Sequence, residues 1–435
     1  MTRTEKLLAD LIALPSVNPA FATQNVASAR RASPSKFGEK NVADFLASIA
    51  AKAGLEVEFQ KVLPFETERW GETPGEPVCA SDHPGSRGRS PHQSKETVFR
   101  SNLIVRLLPR NKIRQTILLA PHLDTVDADD SQFLPRVKNG RLCGRGACDT
   151  KGSVAAMLSA LCELATAKSR PNETEIVFAG LIDEEHAQAG SRALVRSSAF
   201  RRLGQSATSP DRLKSELQTT LAIVGEPTRL EVVTAHKGSV WLQLETRGKA
   251  AHGAMPWLGQ NAVREMAGIV SALETDYAAR LRKRKHLLLG TATVSVGTIC
   301  GGTQPNIVPD RCVISIDRRT LPGETETGVT REIAALLRSK SLSVKIFSTK
   351  LAPALPLETN PKLPLVRQLL RSIGQVKPAG VDFFCDAAVL AGAGIPSVVF
   401  GPGDIAQAHT TDEWISLASL ERGRNLLLDF LKSLP

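Results

Sequence analysis

Apolar runs that stop abruptly at acidic or histidine tips set the first rhythm of the chain. Ile113–Leu119 reads as a buried strand and leads into His122-Leu123-Asp124. Lys151–Leu164 follows as a helix, because Val154, Met157, Leu158, Leu161 and Leu164 recur at helical spacing. Glu175–Ile182 is a second apolar strand, ending at Asp183-Glu184-Glu185. Leu221–Val224 is a third, ending at Gly225-Glu226-Pro227. Strand, polar tip, helix and strand make the alternation of an α/β sheet, whose sites form beyond the carboxyl ends of the strands.

The period changes after Glu231. VTAHKGSVWLQLETRG, TATVSVGTIC and RCVISIDRRT alternate like half-exposed antiparallel strands. Asn261–Arg282 and Gly328–Leu337 read as helices between and after them. The α/β pattern returns from about Leu355, with a strand in IPSVVFGPG and a closing helix over Leu417–Leu431. The expected organisation is a catalytic α/β domain in two parts, residues 1–231 and 355–435. An α+β domain, residues 232–354, is inserted between them. Residues 66–101 carry turn residues and little period, and are expected to form a surface excursion.

Composition narrows the class. With 435 residues, 42% hydrophobic and 23% charged, the chain is neither a disordered tail nor a disulfide-stapled miniature. Its seven cysteines form no CxxC pair, which favours reduced, packed thiols and a cytoplasmic protein. No apolar stretch is long enough to span a bilayer. The opening segment reads as an amphipathic helix, since Glu5 and Asp10 interrupt what would otherwise resemble a signal sequence. The net charge of +11 raises nucleic acid as a partner, but the densest basic run, Arg280 to His286, has only Tyr277 as a nearby aromatic. A solvated helix end is the stronger reading, so neither nucleic acid nor membrane is expected as a partner.

The polar tips carry the candidate chemistry. His122, Asp149, Glu185, Glu226 and His409 each end an apolar strand or lead into a helix. Taken singly, each has an ordinary alternative: a histidine satisfied by backbone, a solvated glutamate pair, a Gly-Glu-Pro turn. Together, two imidazoles and three carboxylates, with Glu184 spare, suit a two-metal hydrolytic centre. Without cations those carboxylates would repel one another.

PHLDTV, GRLCGRGACDTKGSVAAML, LIDEEHAQAGS, VGEPT, AAHGAMP, NIVPD, DRRTLPGE and GPGDIAQAHTTDEW occur in one order along the chain. In that wording the sequence resembles the dinuclear zinc amidohydrolases and peptidases that include acetylornithine deacetylase, succinyl-diaminopimelate desuccinylase, carboxypeptidase G and aminoacylase. The match runs from about residue 16 to the C-terminus. The resemblance implies a zinc-dependent exopeptidase-like catalytic domain with an inserted lid that often dimerises. It implies that His122 and Glu226 bind one zinc, that Glu185 and His409 bind the other, and that Asp149 bridges them. Cobalt or manganese could replace zinc. Asp124 would orient His122, and Glu184 would act as general base toward a metal-activated water. His252 would donate to the oxyanion, and Asn306 and Arg319 would hold the substrate carboxylate. The family also holds the peptide after the bridging aspartate cis, here Asp149-Thr150. Cys143 and Thr150 depart from common family residues without removing a ligand.

The closest wording is that of acetylornithine deacetylase, which implies a small N-acyl amino acid or short peptide as substrate. A carboxypeptidase or dipeptidase, a succinyl-group hydrolase and a silent binding protein are the competing readings.

Overall fold

The computed structural model describes residues 1–23, 37–63, 100–167, 170–197, 220–349 and 353–435. Most of the expected excursion, with His83, His92 and Cys79, lies outside the described residues. Its expected end is corrected: Arg100 and Ser101 already belong to a strand.

Thirteen strands build the two main sheets: β1 (Glu56–Val62), β2 (Arg100–Leu107), β3 (Gln115–Pro121), β4 (Thr174–Gly180), β5 (Thr220–Gly225), β6 (Val233–His236), β7 (Gly238–Arg247), β8 (Thr293–Gly301), β9 (Arg311–Thr320), β10 (Lys345–Ser348), β11 (Leu357–Glu358), β12 (Ala379–Val381) and β13 (Ser397–Val399). The larger sheet has nine strands in the order β1-β2-β4-β3-β5-β13-β6-β11, with β12 beside β6. Its centre, β4, β3, β5 and β13, is parallel. The smaller sheet runs β8-β9-β7-β10 and is antiparallel throughout.

Strand periodicity explains the three layers of the larger half. Ile117 and Leu119 of β3 face a layer formed by α1 (Arg3–Ile12), α2 (Lys40–Lys52), α3 (Lys151–Thr166), α7 (Pro364–Ser372) and α9 (Leu417–Lys432). Leu118 and Ala120 face the opposite layer with α4 (Ala189–Arg196) and α8 (Ala387–Gly392). Because both faces are covered, these strands read as continuous apolar runs in the sequence.

The smaller sheet is covered by helices on one face. Leu242, Leu244, Ile314 and Ile316 pack there with Met266 and Ile269 of α5 (Ala262–Ser271) and Ile333 and Leu336 of α6 (Glu326–Ser339). Asn261 caps α5, accepting from the Arg264 N–H at 3.0 Å. After α5 the chain makes a π-helical stretch, Ala272–Tyr277, before its last helical turn.

Two expectations change. Val233–His236, assigned by its alternation to the inserted segment, pairs within the nine-stranded sheet. The four-stranded sheet therefore starts at Gly238, where a Cβ would meet Thr320 Oγ1 at 2.4 Å. β7 is also buried apart from Trp241 and Arg247, not half-exposed, because it is an inner strand of its sheet. Its Glu245 is covered by ion pairs to Arg247 and Arg311.

Candidate metal centre

Adjacent parallel strands bring the first predicted ligands together. β3 and β5 are paired through Pro121 and Gly225, so His122 and Glu226, the next residues, leave the sheet side by side. The ring Nε2 of His122 lies 3.8 Å from Glu226 Oε1. Gly225 permits this close approach to α3, since a Cβ there would meet Ser153 Cβ at 2.8 Å. Strand β4 lies on the other side of β3, and its extension supplies Glu184 and Glu185. Asp149 stands just before α3, with a cis peptide to Thr150. The Thr150 hydroxyl donates to the Gly225 carbonyl at 2.8 Å.

Asp149 lies between two histidine–glutamate pairs. Its Oδ1 is 3.1 Å from His122 Nε2, and its Oδ2 is 3.5 Å from His409 Nε2. His409 Nε2 is in turn 3.2 Å from Glu185 Oε2. His122, Asp149 and Glu226 are buried, whereas His409 is exposed and takes a positive φ of 62°.

Asp124 sits behind this row. His122 Nδ1 is 3.0 Å from the Asp124 backbone carbonyl and 3.5 Å from its Oδ1, so the shorter contact is to backbone. The Asp124 carboxylate accepts the backbone N–H groups of Glu184 and Glu185, each at 3.1 Å. It thereby fixes the turn that presents both glutamates. Burial would raise the pKa of Asp124, but hydrogen bonding to His122 and the charges of His122 and Arg100 outweigh it and hold the group low. Glu184 goes the other way. Burial first, then the negative Glu226, Asp386 and Glu185, push its pKa well above the usual carboxylate range.

Residues to which the sequence reading gave no role complete the support. Asn18 donates to Asp124 at 2.7 Å and to Asp183 at 3.0 Å. Asp183 has φ 66° and accepts from Arg100, which also binds the buried Glu39. Asp386 is buried and accepts the Ser191 hydroxyl at 2.6 Å, and burial raises its pKa to about 6. Its signal was legible, because a lone carboxylate inside the apolar run Phe383–Leu390 needs a reason to be there. Asn18 gave no comparable signal, lying in a polar stretch.

The donor set fits divalent metal. Ligand atoms of His122, Asp149 and Glu185 lie within 4.8 Å of one another. Glu185 Oε1 is buried without a hydrogen-bond partner, a free lone pair in a crowd of carboxylates. Mixed imidazole and carboxylate donors suit zinc and also cobalt or manganese.

The remaining predicted residues stand on the smaller half. His252 and Asn306 are exposed, and the backbone N–H of Gly253 joins them by donating to the Asn306 carbonyl at 2.7 Å. Arg318 is fully buried, with Nε 3.2 Å from Tyr277 Oη and a bond to Glu324. Arg319 faces the other way, half-buried, with Nε 2.9 Å from Asp317 Oδ2. Its guanidinium lies 5.8 Å from the Phe384 ring centroid, two residues before Asp386 in the larger half. Of the predicted residues on the smaller half, Arg319 makes this contact across to the larger one, whereas His252 Nδ1 accepts from its own turn, the Ala254 N–H at 3.1 Å.

The family model described as peptidase family M20/M25/M40 matches residues 118–433. The chain belongs to this family. It is a metal-dependent hydrolase acting on amides. The chain is 31% identical over 320 residues to an acetylornithine deacetylase of Myxococcus xanthus, covering 71% of this chain and 77% of that protein. It is 28% identical over 327 residues to the acetylornithine deacetylase of Buchnera aphidicola subsp. Schizaphis graminum, covering 73% and 80%. Among solved structures it resembles aminopeptidase PepT of Bacillus cereus, with a TM-score of 0.67 at 19% identity over 99% and 97% of the two chains. It also resembles an M20 family metallo-carboxypeptidase of Sulfolobus solfataricus, with a TM-score of 0.66 at 17% identity over 99% of each chain. A Bacillus subtilis member described as a dinuclear metal binding peptidase gives a TM-score of 0.62 at 12% identity, over 99% of this chain and 97% of that one. At these identities the structural likeness speaks for the fold. M20 membership agrees with the α/β architecture and with the metal dependence expected from the tips.

Among the described residues, no helix is long and apolar enough to cross a membrane. Cys148 and Cys385 are buried thiols. In the basic run, Arg284 pairs with Glu324 and Glu332, while Arg282, Lys283 and Lys285 face solvent.

Proposed function

We propose that this M20 enzyme hydrolyses the amide bond of an N-acyl amino acid, as its acetylornithine deacetylase relatives are named for doing. The observation that carries the reading is the placement of Asp149, one oxygen toward His122 and the other toward His409. In this reading His122 and Glu226 hold one divalent ion, Glu185 and His409 hold a second, and Asp149 is shared; zinc is the first candidate, then cobalt or manganese. Bound metal supplies Lewis acidity that makes water nucleophilic near neutral pH and polarises the amide carbonyl.

The protein's own groups do the rest. Glu184 accepts a proton from the attacking water and passes it to the leaving amine. A carboxylate whose pKa is raised above the usual range suits both transfers. Asp124 keeps His122 oriented and the Glu184-Glu185 turn in place. Arg319 and Asn306 grip the substrate carboxylate, for which a guanidinium fork is well shaped. His252 donates to the developing oxyanion, either after closure of the smaller half or from a second copy of the chain. A homodimer through residues 232–354 is part of this reading, as is a cytoplasmic site of action, which buried thiols such as Cys148, Cys162 and Cys385 favour.

A panel of N-acetyl amino acids, N-succinyl-diaminopimelate and dipeptides, assayed with chelator-treated enzyme given zinc or cobalt, tests it. Preferred cleavage of the N-acetyl compounds is the expected result. Preference for dipeptides would move the chain to the peptidases of its family, and metal binding without any turnover would leave a silent binding protein.

A further inference from the structure

The two halves of the ligand set are held in different ways. His122 and Glu226 follow directly from paired strands, and the Leu123 N–H donates to the Leu181 carbonyl at 2.7 Å. Asp149 and His409 come from irregular segments far apart in sequence. The Asp149 segment, GRGACD, has glycines at φ 151° and 79° and no sheet pairing of its own beyond Cys143. His409 lies in a loop after β13.

One buried carboxylate joins these two segments. Glu413, four residues after His409, is 1% exposed. Its Oε1 accepts the backbone N–H groups of Cys148 and Asp149, at 2.8 and 3.0 Å. Its Oε2 accepts the Gly146 N–H at 2.9 Å and Arg145 Nη1 at 2.8 Å. The Glu413 backbone carbonyl takes the Gly144 N–H at 3.0 Å. Gln132 clips the same junction: its carbonyl accepts the Arg145 N–H at 2.8 Å, and its Nε2 donates to Thr411 O at 2.9 Å. Four donors on one carboxylate leave the backbone of residues 145–149 little freedom relative to residues 409–413.

We propose that Glu413 is a positioning residue that holds Asp149 and His409 in mutual register, and so sets the affinity of the metal position shared by Glu185, His409 and Asp149. The inference rests on the dinuclear reading above. The position built on His122 and Glu226 depends on Glu413 only through Asp149, since its other ligands belong to the sheet.

Glu413→Gln tests this with little change of shape. Its amide NH2 replaces one oxygen and faces two donors with nothing to accept. Chelator-stripped wild-type and variant chains are titrated with cobalt, read by absorbance, and with zinc, read by calorimetry. The melting temperature of the metal-free chain is measured beside them. The expected result is a loss of ~10–100-fold in the affinity of one ion, with the other changed far less, in a chain that still folds without metal. Wild-type affinity at both positions would overturn the proposal. An equal loss at both, tracking a lower melting temperature, would also overturn it and reduce Glu413 to general support of the fold. Should Glu413→Gln not fold, Gln132→Ala removes the second clip without stranding a buried charge and decides in the same way, by a smaller loss confined to one ion or none. A wild-type chain that binds a single ion would refute the dinuclear reading and leave Glu413 judged on that ion, where unchanged affinity in the variant overturns it.

Discussion

The two sheets of this protein present their chemistry differently. In the nine-stranded half, His122, Asp149 and Glu226 are buried, and His122 Nε2 already lies within 4 Å of both carboxylates. In the four-stranded half, His252 is exposed on a two-residue strand and Asn306 in a turn, and of the candidate residues there Arg319 leans toward the other half, at Phe384. In the first half His122 and Glu226 continue directly from a covered parallel sheet and Asp149 stands against His122 just before α3, which leaves these candidate ligands little choice. The second half is covered by helices on one face, and its candidate groups stand where another surface could meet them. A donor set suited to metal is thus built in, whereas the groups proposed to touch substrate stand exposed on the other half.

The sharpest separation of the halves comes from Glu184→Gln. An amide cannot take the proton from water, so turnover should fall by roughly 10²–10⁴ while metal content stays unchanged. Metal analysis beside the rate checks both parts, and normal activity would remove Glu184 from the mechanism.

His252→Ala probes the exposed half, with an expected loss of about 10²–10³ in kcat and again intact metal content. Mixing His252→Ala chains with Glu184→Gln chains then tells where the histidine acts. Recovered activity means it crosses to the partner's site, and no recovery means each chain uses its own or no dimer exchanges.

A smaller change is expected from Arg319→Met. Losing a charge-assisted grip on a substrate carboxylate costs about 1.5–3 kcal/mol, or roughly 10–150-fold in kcat/KM. The loss should fall mainly on KM, and an unchanged KM would take Arg319 out of substrate binding.

The smallest expected effect lies at the junction of the halves. His236 is fully buried on β6, its Nδ1 is 2.8 Å from the Lys237 carbonyl, and burial lowers its pKa to about 4. The unfolded chain, titrating near 6.5, binds a proton there that the folded chain refuses. Its contribution to stability is therefore complete above pH 6.5 and lost as pH falls toward 4, by at most about 1.4 kcal/mol per unit. Denaturant melts of metal-free chains at pH 7 and 5.5 should show a shallower loss in His236→Gln than in the wild type. Parallel losses would show that His236 does not carry this dependence.

Local pattern made much of this legible. Continuous apolar runs marked β3, β4 and β5, helical spacing marked α3, and the residues just past those strands marked three of the five proposed ligands. Such signals lie within a few residues of one another, so the sequence determines them alone: an α/β core, an inserted antiparallel segment and a row of polar tips. Tertiary structure decided the rest. Nothing in VTAHKGSVW shows that the chain changes sheets at Lys237, because strand partners are chosen by ladders with distant segments. Nothing in TTDEW shows that Glu413 gathers the N–H groups of Gly146, Cys148 and Asp149, some 265 positions earlier. The same holds for Asn18, Arg100 and Asp183, whose value lies in meeting around Asp124. Hydrophobic period is a property of neighbours in sequence, whereas a buried charge is satisfied only by neighbours in space.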